Sequence, residues 1–316
     1  MHYRSFRNSD TPAIAALWRS QPPNRYLLQP MSPAVFEQLV LGKPFFDRHG
    51  LIVAEEENRL VGYVHAAFGP RNDLEDLDFQ IGLTHFPLVL PNVDWPLIAG
   101  QLLRHSEAYL VERGAQSLYA GAVAPINPYY LGLYGGSQLR GIPRSDTRLV
   151  KLYEANGYQA QTSWLVLQRK LAGFRPHVDR TQMALRRGHL IEALFDPPSA
   201  SWWEACAMSG LERTCFKLIP KGQTTACGEA IFWDMNPLAN SWGIQAAGLL
   251  HIQVDPAIRR QGLATYLLGE TLRQLQTQGV AIAEVQVPGS DLVALRLFHK
   301  LGFEEVDQIV TFQKNA

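Results

Sequence analysis

The sequence predicts an α+β protein built from two tandem units, and three observations carry that prediction. The 316-residue chain exceeds one typical domain. Strand-like and helix-like segments follow one another in the same order in both halves, which points to an old duplication. A turn-rich stretch, Ala172-Gly173-Phe174-Arg175-Pro176, separates the halves, so the units are placed at 1–172 and 173–316.

Composition narrows the classes. Hydrophobic residues make up 47% and charged residues 18%, below the roughly 25% charged of an average soluble chain, which argues for an ordered core. Lys plus Arg equals Asp plus Glu at 29 each, so no global field would hold the chain on nucleic acid or an anionic membrane. The most apolar stretch, 81–99, is broken by Pro87, Pro91, Asp94 and Pro96, which excludes a spanning helix there. The first seven residues lack the apolar core of a secretory signal, and Cys206, Cys215 and Cys227 cannot all pair within the chain. The expectation is a cytoplasmic protein with reduced thiols. Without a CxxC pair, and with His85, His105 and His177 dispersed, no metal site is expected.

In the first unit, 3–7 reads as a strand, and 11–19 and 32–41 as helices, the second opened by a Ser-Pro start. Apolar runs at 51–54 and 60–64 flank a polar turn and read as a hairpin. A helix at 95–113 ends at Gly114; a strand at 118–123, a Gly/Pro/Tyr-rich insertion at 125–143 and a helix at 146–156 follow, and 164–167 closes the unit. In the second unit, 182–186 reads as a strand, 202–208 as a short helix, and 215–219 and 225–233 as strands. Then come a strand at 249–254, a loop at 255–262, and a helix at 263–278 with Leu268, Leu272 and Leu275 on one stripe. A strand at 281–287, a helix at 291–301 and a closing strand at 308–313 complete the chain.

The loop after 249–254 carries the chemistry. Between a strand and a helix, successive backbone N–H groups and the helix N-terminus can hold an anion. Gly262 lets the backbone approach closely, Ala264 leaves room at the first turn, and Arg259 and Arg260 add positive charge. The loop reads as a pyrophosphate cradle.

Arg259-x-x-Gly262-x-Ala264 resembles the acetyl-CoA signature of the GNAT acetyltransferase superfamily. Ala294-x-x-x-Phe298-x-x-x-Gly302-Phe303 resembles its second signature, with Phe298 where many members carry a tyrosine and Asp291 where many carry an asparagine. The resemblance implies that each unit is a mixed, mostly antiparallel twisted sheet flanked by helices. It also implies an acetyl-CoA site formed by Ile252, Gln253 and Val254 on the strand, Arg259, Arg260, Gln261, Gly262, Leu263, Ala264 and Thr265 around the loop, and Phe298 on the last helix. The strand ending at Val254 would pair its backbone with the pantetheine arm while the next strand splays away. Phe298 removes the hydroxyl that commonly protonates the leaving thiolate. The first unit keeps the second signature, Tyr153-x-x-x-Gly157-Tyr158, yet has Pro91-Asn92-Val93-Asp94-Trp95-Pro96 in place of the cradle. It is read as a degenerate GNAT unit with Tyr153 as a core aromatic.

The expected function is transfer of an acetyl group from acetyl-CoA to a primary amine, on a small molecule or on a protein, by direct attack. His251 and Glu229 are the candidates for general base; strict alternation groups His251 with Leu249 and Gln253, opposite Ile252 and Val254. Each has a plain structural alternative, as a strand histidine and a solvated carboxylate. The alternative function is an acyl-CoA-binding sensor or partner-binding module whose chemistry has faded.

Overall fold

The computed structural model describes residues 1–123, 127 and 129–316; Pro125, Ile126 and Pro128 of the expected insertion lie outside the described residues. The first unit runs β1 (His2–Ser5), α1 (Thr11–Arg19), α2 (Pro33–Phe36), β2 (Leu51–Glu56), β3 (Arg59–Pro70), β4 (Leu77–Thr84), β5 (Leu88–Val89), α3 (Trp95–Glu112), β6 (Ser117–Ala120), β7 (Ala122–Val123), β8 (Arg140–Pro143), α4 (Thr147–Ala155) and β9 (Gln159–Lys170). The second runs α5 (Arg180–Gly188), β10 (His189–Phe195), α6 (Trp202–Ala207), β11 (Arg213–Pro220), β12 (Gly228–Asp234), α7 (Asn236–Trp242), β13 (Ala246–Val254), α8 (Leu263–Thr277), β14 (Ile282–Pro288), α9 (Leu292–Lys300) and β15 (Glu304–Asn315).

The strands join into one sheet in the order β1-β2-β3-β4-β6-β15-β9-β14-β13-β12-β11-β10. Neighbours are antiparallel except β4 with β6 and β13 with β14. The two units exchange their last strands. β9 closes the first unit in sequence yet lies between β14 and β15, with Val285 opposite Leu167 and Ile309 opposite Trp164. β15 closes the second and lies between β6 and β9, with Phe312 opposite Ala120. Both strands therefore carry ladder partners on both sides, which lengthens them beyond the apolar runs visible in the sequence.

Two apolar cores flank this seam. The first is aromatic-rich and includes Trp18, Phe36, Tyr63, Phe86 and Tyr130. The second packs Phe216, Leu218, Phe232 and Leu249 of the sheet against Leu267, Leu268 and Leu272 of α8 and Leu295 and Phe298 of α9. Full burial of each such side chain stabilises the fold by roughly 1.5–3 kcal/mol.

One element differs in kind from the expectation. Residues 182–186 belong to helix α5, not a strand. Asp179 caps it by accepting from the Gln182 N–H at 2.7 Å, and the Met-Ala-Leu-Arg-Arg run that follows favours helix. The edge strand comes immediately after, as β10. Trp203 of α6 stacks on Phe45 of the first unit, with ring centroids 4.8 Å apart. The Lys43 ammonium donates to the carbonyls of Cys206, Ala207 and Ser209 at 2.9–3.1 Å, closing the C-terminal end of α6.

Candidate active site

β13 is the strand on which the site is built. On one side it pairs with β12 from Asp234↔Ala247 to Gly228↔Val254. On the other it pairs with β14 only over Ala246, Ala247 and Gly248. Beyond Gly248 the two parallel strands diverge, leaving a wedge between them. The apex is filled by the first unit: Gln138 Nε2 donates to the carbonyls of Leu249 and Leu250 at 3.1 and 2.9 Å. From β14, Gln286 Nε2 donates to the Gly135 and Gln138 carbonyls, and the buried Glu284 carboxylate accepts from the Ser137 N–H at 2.7 Å and Gln168 Nε2 at 2.6 Å. Burial pushes the Glu284 carboxyl above its usual range, against those hydrogen bonds and the Arg25 guanidinium 3.6 Å away. Gly136 makes this approach possible, because a Cβ there would run into the Glu284 carboxylate.

A bulge corrects the face expected for Leu249. Ile231 faces His251 while the next β12 residue, Phe232, faces Leu249, so Leu250 is an extra residue. The bulge resets the alternation. Leu249 joins Val254 in the second core, with Ile252 packed against it, whereas His251 and Gln253 face the other way and are exposed.

The cradle follows. Arg259 is extended and its Nε donates to the Val254 carbonyl at 2.9 Å. Arg260 and Gly262 are both left-handed, at φ 66° and 82°. Gly262 occupies the N-cap of α8, and no side chain caps that helix. The first-turn N–H groups and the positive end of the helix dipole are thus presented without a competing carboxylate. A Cβ at Gly262 would meet Gln182 Nε2 at 3.0 Å and Thr181 Cγ2 at 3.3 Å, so α5 backs the loop.

These elements enclose a cleft of about 710 Å³ between β13, the loop, α8 and α9. His251, Ile252, Gln253, Val254, Arg259, Arg260, Gly262, Leu263, Ala264 and Thr265 line it. Gln261 is exposed outside the wall, and Phe298 is turned into the second core against Phe303, ring centroids 5.3 Å apart. Phe298 therefore does not contribute to the wall as expected: its place on the buried face of α9 takes it inward. Arg296 and Lys300, four residues apart on the outer face of α9, also line the cleft and were missed. Their i, i+4 spacing beside Asp291 was the available signal. Asp291 lines the cleft too but is engaged as the cap of α9, accepting from the Ala294 N–H at 3.0 Å. Arg259, Arg260, Arg296 and Lys300 form no ion pair among the described residues. The cleft thus concentrates positive charge.

Of the two candidate bases, His251 lies on the cleft wall. Glu229 does not line it; it sits on the neighbouring strand opposite Gln253, accepts from Gln253 Nε2 at 2.7 Å and lies 3.7 Å from the Cys215 thiol. Tyr153 of the first unit is fully buried, and its hydroxyl donates to the His85 carbonyl at 3.1 Å.

Residues 241–314, which contain β13, the cradle, α8, β14 and α9, match the family of acetyltransferase (GNAT) domains. That match lies wholly within the second unit. The whole chain is similar in fold to a tandem GNAT protein from the clavulanic acid biosynthesis pathway, with a TM-score of 0.68, 13% identity, and 99% and 98% of the two chains covered. A GCN5-related N-acetyltransferase from Sphaerobacter thermophilus is similar at a TM-score of 0.61 and 16% identity, over 99% and 95%. The fold is that of a tandem GNAT protein. In sequence, the chain is 33% identical over 72 residues to the [ribosomal protein bS18]-alanine N-acetyltransferase of Haemophilus ducreyi, which is 23% of this chain and 47% of that protein. It is 39% identical over 62 residues to the Escherichia coli K12 protein of the same name, which is 20% and 42%. The chain spans about half the length of these curated relatives.

Proposed function

We propose that the protein is an acetyl-CoA-dependent N-acetyltransferase whose donor site is the cleft of residues 173–316, with residues 1–172 a degenerate GNAT unit. The uncapped N-terminus of α8 at Gly262, flanked by Arg259 and Arg260, carries this reading. It offers an array of backbone N–H donors and positive charge shaped for a pyrophosphate. Arg296 and Lys300 extend that charge. The free edge of β13 at Ile252, Gln253 and Val254 offers backbone groups to the amide-bearing arm of the donor, and Leu263, Ala264 and Thr265 form the floor. The donor supplies an acetyl group activated as a thioester. The acceptor nitrogen attacks the thioester carbonyl carbon, the bond to sulfur breaks, and coenzyme A leaves as the thiolate. Most of the rate comes from positioning a deprotonated amine against that carbon. His251, on the cleft wall, is the nearer candidate to receive the amine proton; Glu229 orients Gln253. Phe298 has no proton to give and is buried, so the thiolate leaves without help from α9.

A second reading rests on that same Phe298: a protein that binds acyl-CoA and signals its level without turning it over. Thiol release from acetyl-CoA, followed with a panel of primary amines, decides between them. Amine-dependent release supports the enzyme; calorimetric binding of acetyl-CoA with no release across the panel supports the sensor.

A further inference from the structure

The donor cleft ends against the first unit. β14 pairs with β13 as far as Gly248↔Glu284, so Leu250 and Gln286, two residues further along each strand, stand level on either side of the wedge. A strut from the first unit joins them there. Gln138 Nε2 donates to the carbonyls of Leu249 and Leu250, and Gln286 Nε2 donates back to the backbone carbonyls of Gly135 and Gln138. In a regular strand successive carbonyls point to opposite edges; one amide reaches both here because Leu250 is the bulge. Arg140 Nε donates to Gln138 Oε1 at 2.6 Å, so the side-chain amide is held through its oxygen as well as its nitrogen. Gln138 and Gln286 are 8% and 4% exposed. Behind them the apex is occupied: a Cβ on Gly248 would meet Trp233 Nε1 at 2.5 Å and Ser137 Cβ at 2.9 Å.

The edge of β13 that faces the cleft thus runs from His251 to Val254, about 13 Å of strand. With a pyrophosphate at Gly262 and the amide-bearing arm along this edge, the thioester and its acyl group arrive at the strut. We propose that Gln138 is the acyl stop of the donor site: it limits the acyl group to a short chain, so the unit that lacks a cradle sets which donor the other unit takes. The inference rests on the acetyl-CoA reading above. A longer chain has to turn the Gln138 amide away, which leaves the carbonyls of Leu249, a residue 2% exposed, and of Leu250 without their donor. Each such loss outweighs the burial of one more methylene. Gln138 also lines, with Leu139, Met208 and Leu250, a small cavity just beyond the cleft. Shortening its side chain therefore extends the space open to an acyl chain.

The test needs no acceptor. Binding of coenzyme A and of its acetyl, butyryl and hexanoyl thioesters to the full chain is measured by calorimetry for the native protein, Gln138→Asn and Gln138→Ala. For the native protein, the butyryl and hexanoyl thioesters should bind at least about tenfold more weakly than acetyl-CoA. Gln138→Asn keeps the amide on a shorter stem and should bring butyryl-CoA up to the acetyl level while hexanoyl-CoA stays weak. Gln138→Ala should admit both, with the affinity for coenzyme A itself retained. A limit that steps outward as the side chain shortens is a readout that general loosening of the wedge would not give. Native binding of hexanoyl-CoA as tight as that of acetyl-CoA, or variants that weaken all three thioesters alike, overturns the acyl stop and leaves the donor site standing. Failure of the native chain to bind coenzyme A or any thioester overturns the donor reading itself.

Discussion

The two units contain equivalent clefts, and one is open where the other is shut. In the second unit, the end of β13 and the N-termini of α8 and α9 surround about 710 Å³. In the first, Phe86 and Leu88 after β4, Trp95 at the start of α3, and Arg148 and Leu149 of α4 surround about 40 Å³. The strand geometry does not make the difference. After Thr84 the chain leaves β6 and continues along β3, with the His85 N–H donating to His65 and Leu88 opposite Tyr63, much as β13 leaves β14. Side chains close the space. Tyr134 stacks on Phe86 with ring centroids 4.0 Å apart, Arg148 lies over Trp95, and Asp94 caps α3 by accepting from the Leu97 N–H. The helix dipole that Gly262 leaves available in one unit is answered internally by Asp94 in the other. An open cleft and a packed core thus arise on one scaffold through a cap residue and an aromatic plug. The plug and the wedge that fixes the apex of the open cleft come from the same segment, since Tyr134 and Gln138 are four residues apart.

The largest expected effect comes from removing the plug. Tyr134→Ala should create a cavity in the first core and lower stability by about 3–5 kcal/mol, read as a shift in the urea midpoint. It should not create a second acetyl-CoA site, because Asp94 still caps α3. A binding stoichiometry of two would break the comparison by showing that the plug alone shut the cleft.

A second prediction uses pH. His65 and His85 are buried among Tyr129 and Tyr130, and neither ring nitrogen of His85 has a partner among the described residues. Burial lowers both, His65 to about 3 and His85 well below its ordinary value. Because the folded values lie below the unfolded ones, their contribution to stability is intact above about pH 6.5 and declines as pH falls toward the folded values. His85→Phe keeps an aromatic ring in the cluster and should flatten the decline in Tm between pH 6.5 and 4 by roughly half. An unchanged profile would show that His85 does not contribute to the acid sensitivity.

The smallest effect tests the rim of the open cleft. Arg296→Ala should weaken acetyl-CoA binding by about three- to tenfold and reduce its salt dependence, as expected for an exposed charge acting across solvent. The same change at Arg148, which lies over Trp95, should leave acetyl-CoA binding unaffected.

What could be read from the sequence was local. The strand-loop-helix around Arg259 and Gly262 lies within about fifteen residues, and its glycine, arginines and apolar stripe describe its own geometry. The buried Tyr153 was legible for the same reason. The exchange of β9 and β15 left no trace, because a ladder between residues 120 and 312 depends on where the chain returns rather than on its local pattern. The bulge at Leu250 breaks the alternation from within an apolar run, where the sequence offers no marker. The turns of α5 were read as a strand because its cap, Asp179, stands three residues before the segment considered.

The central claim is that an uncapped helix N-terminus at Gly262 makes the open cleft an acetyl-CoA site. The most direct test is calorimetry of acetyl-CoA with the native chain and with Gly262→Asp, which adds a negative charge at the loop and a Cβ against Gln182 and Thr181 of α5. One molecule bound per native chain, with affinity reduced at least about a hundredfold in the variant and the fold retained by circular dichroism, is the predicted result. Equal binding by both proteins would contradict it.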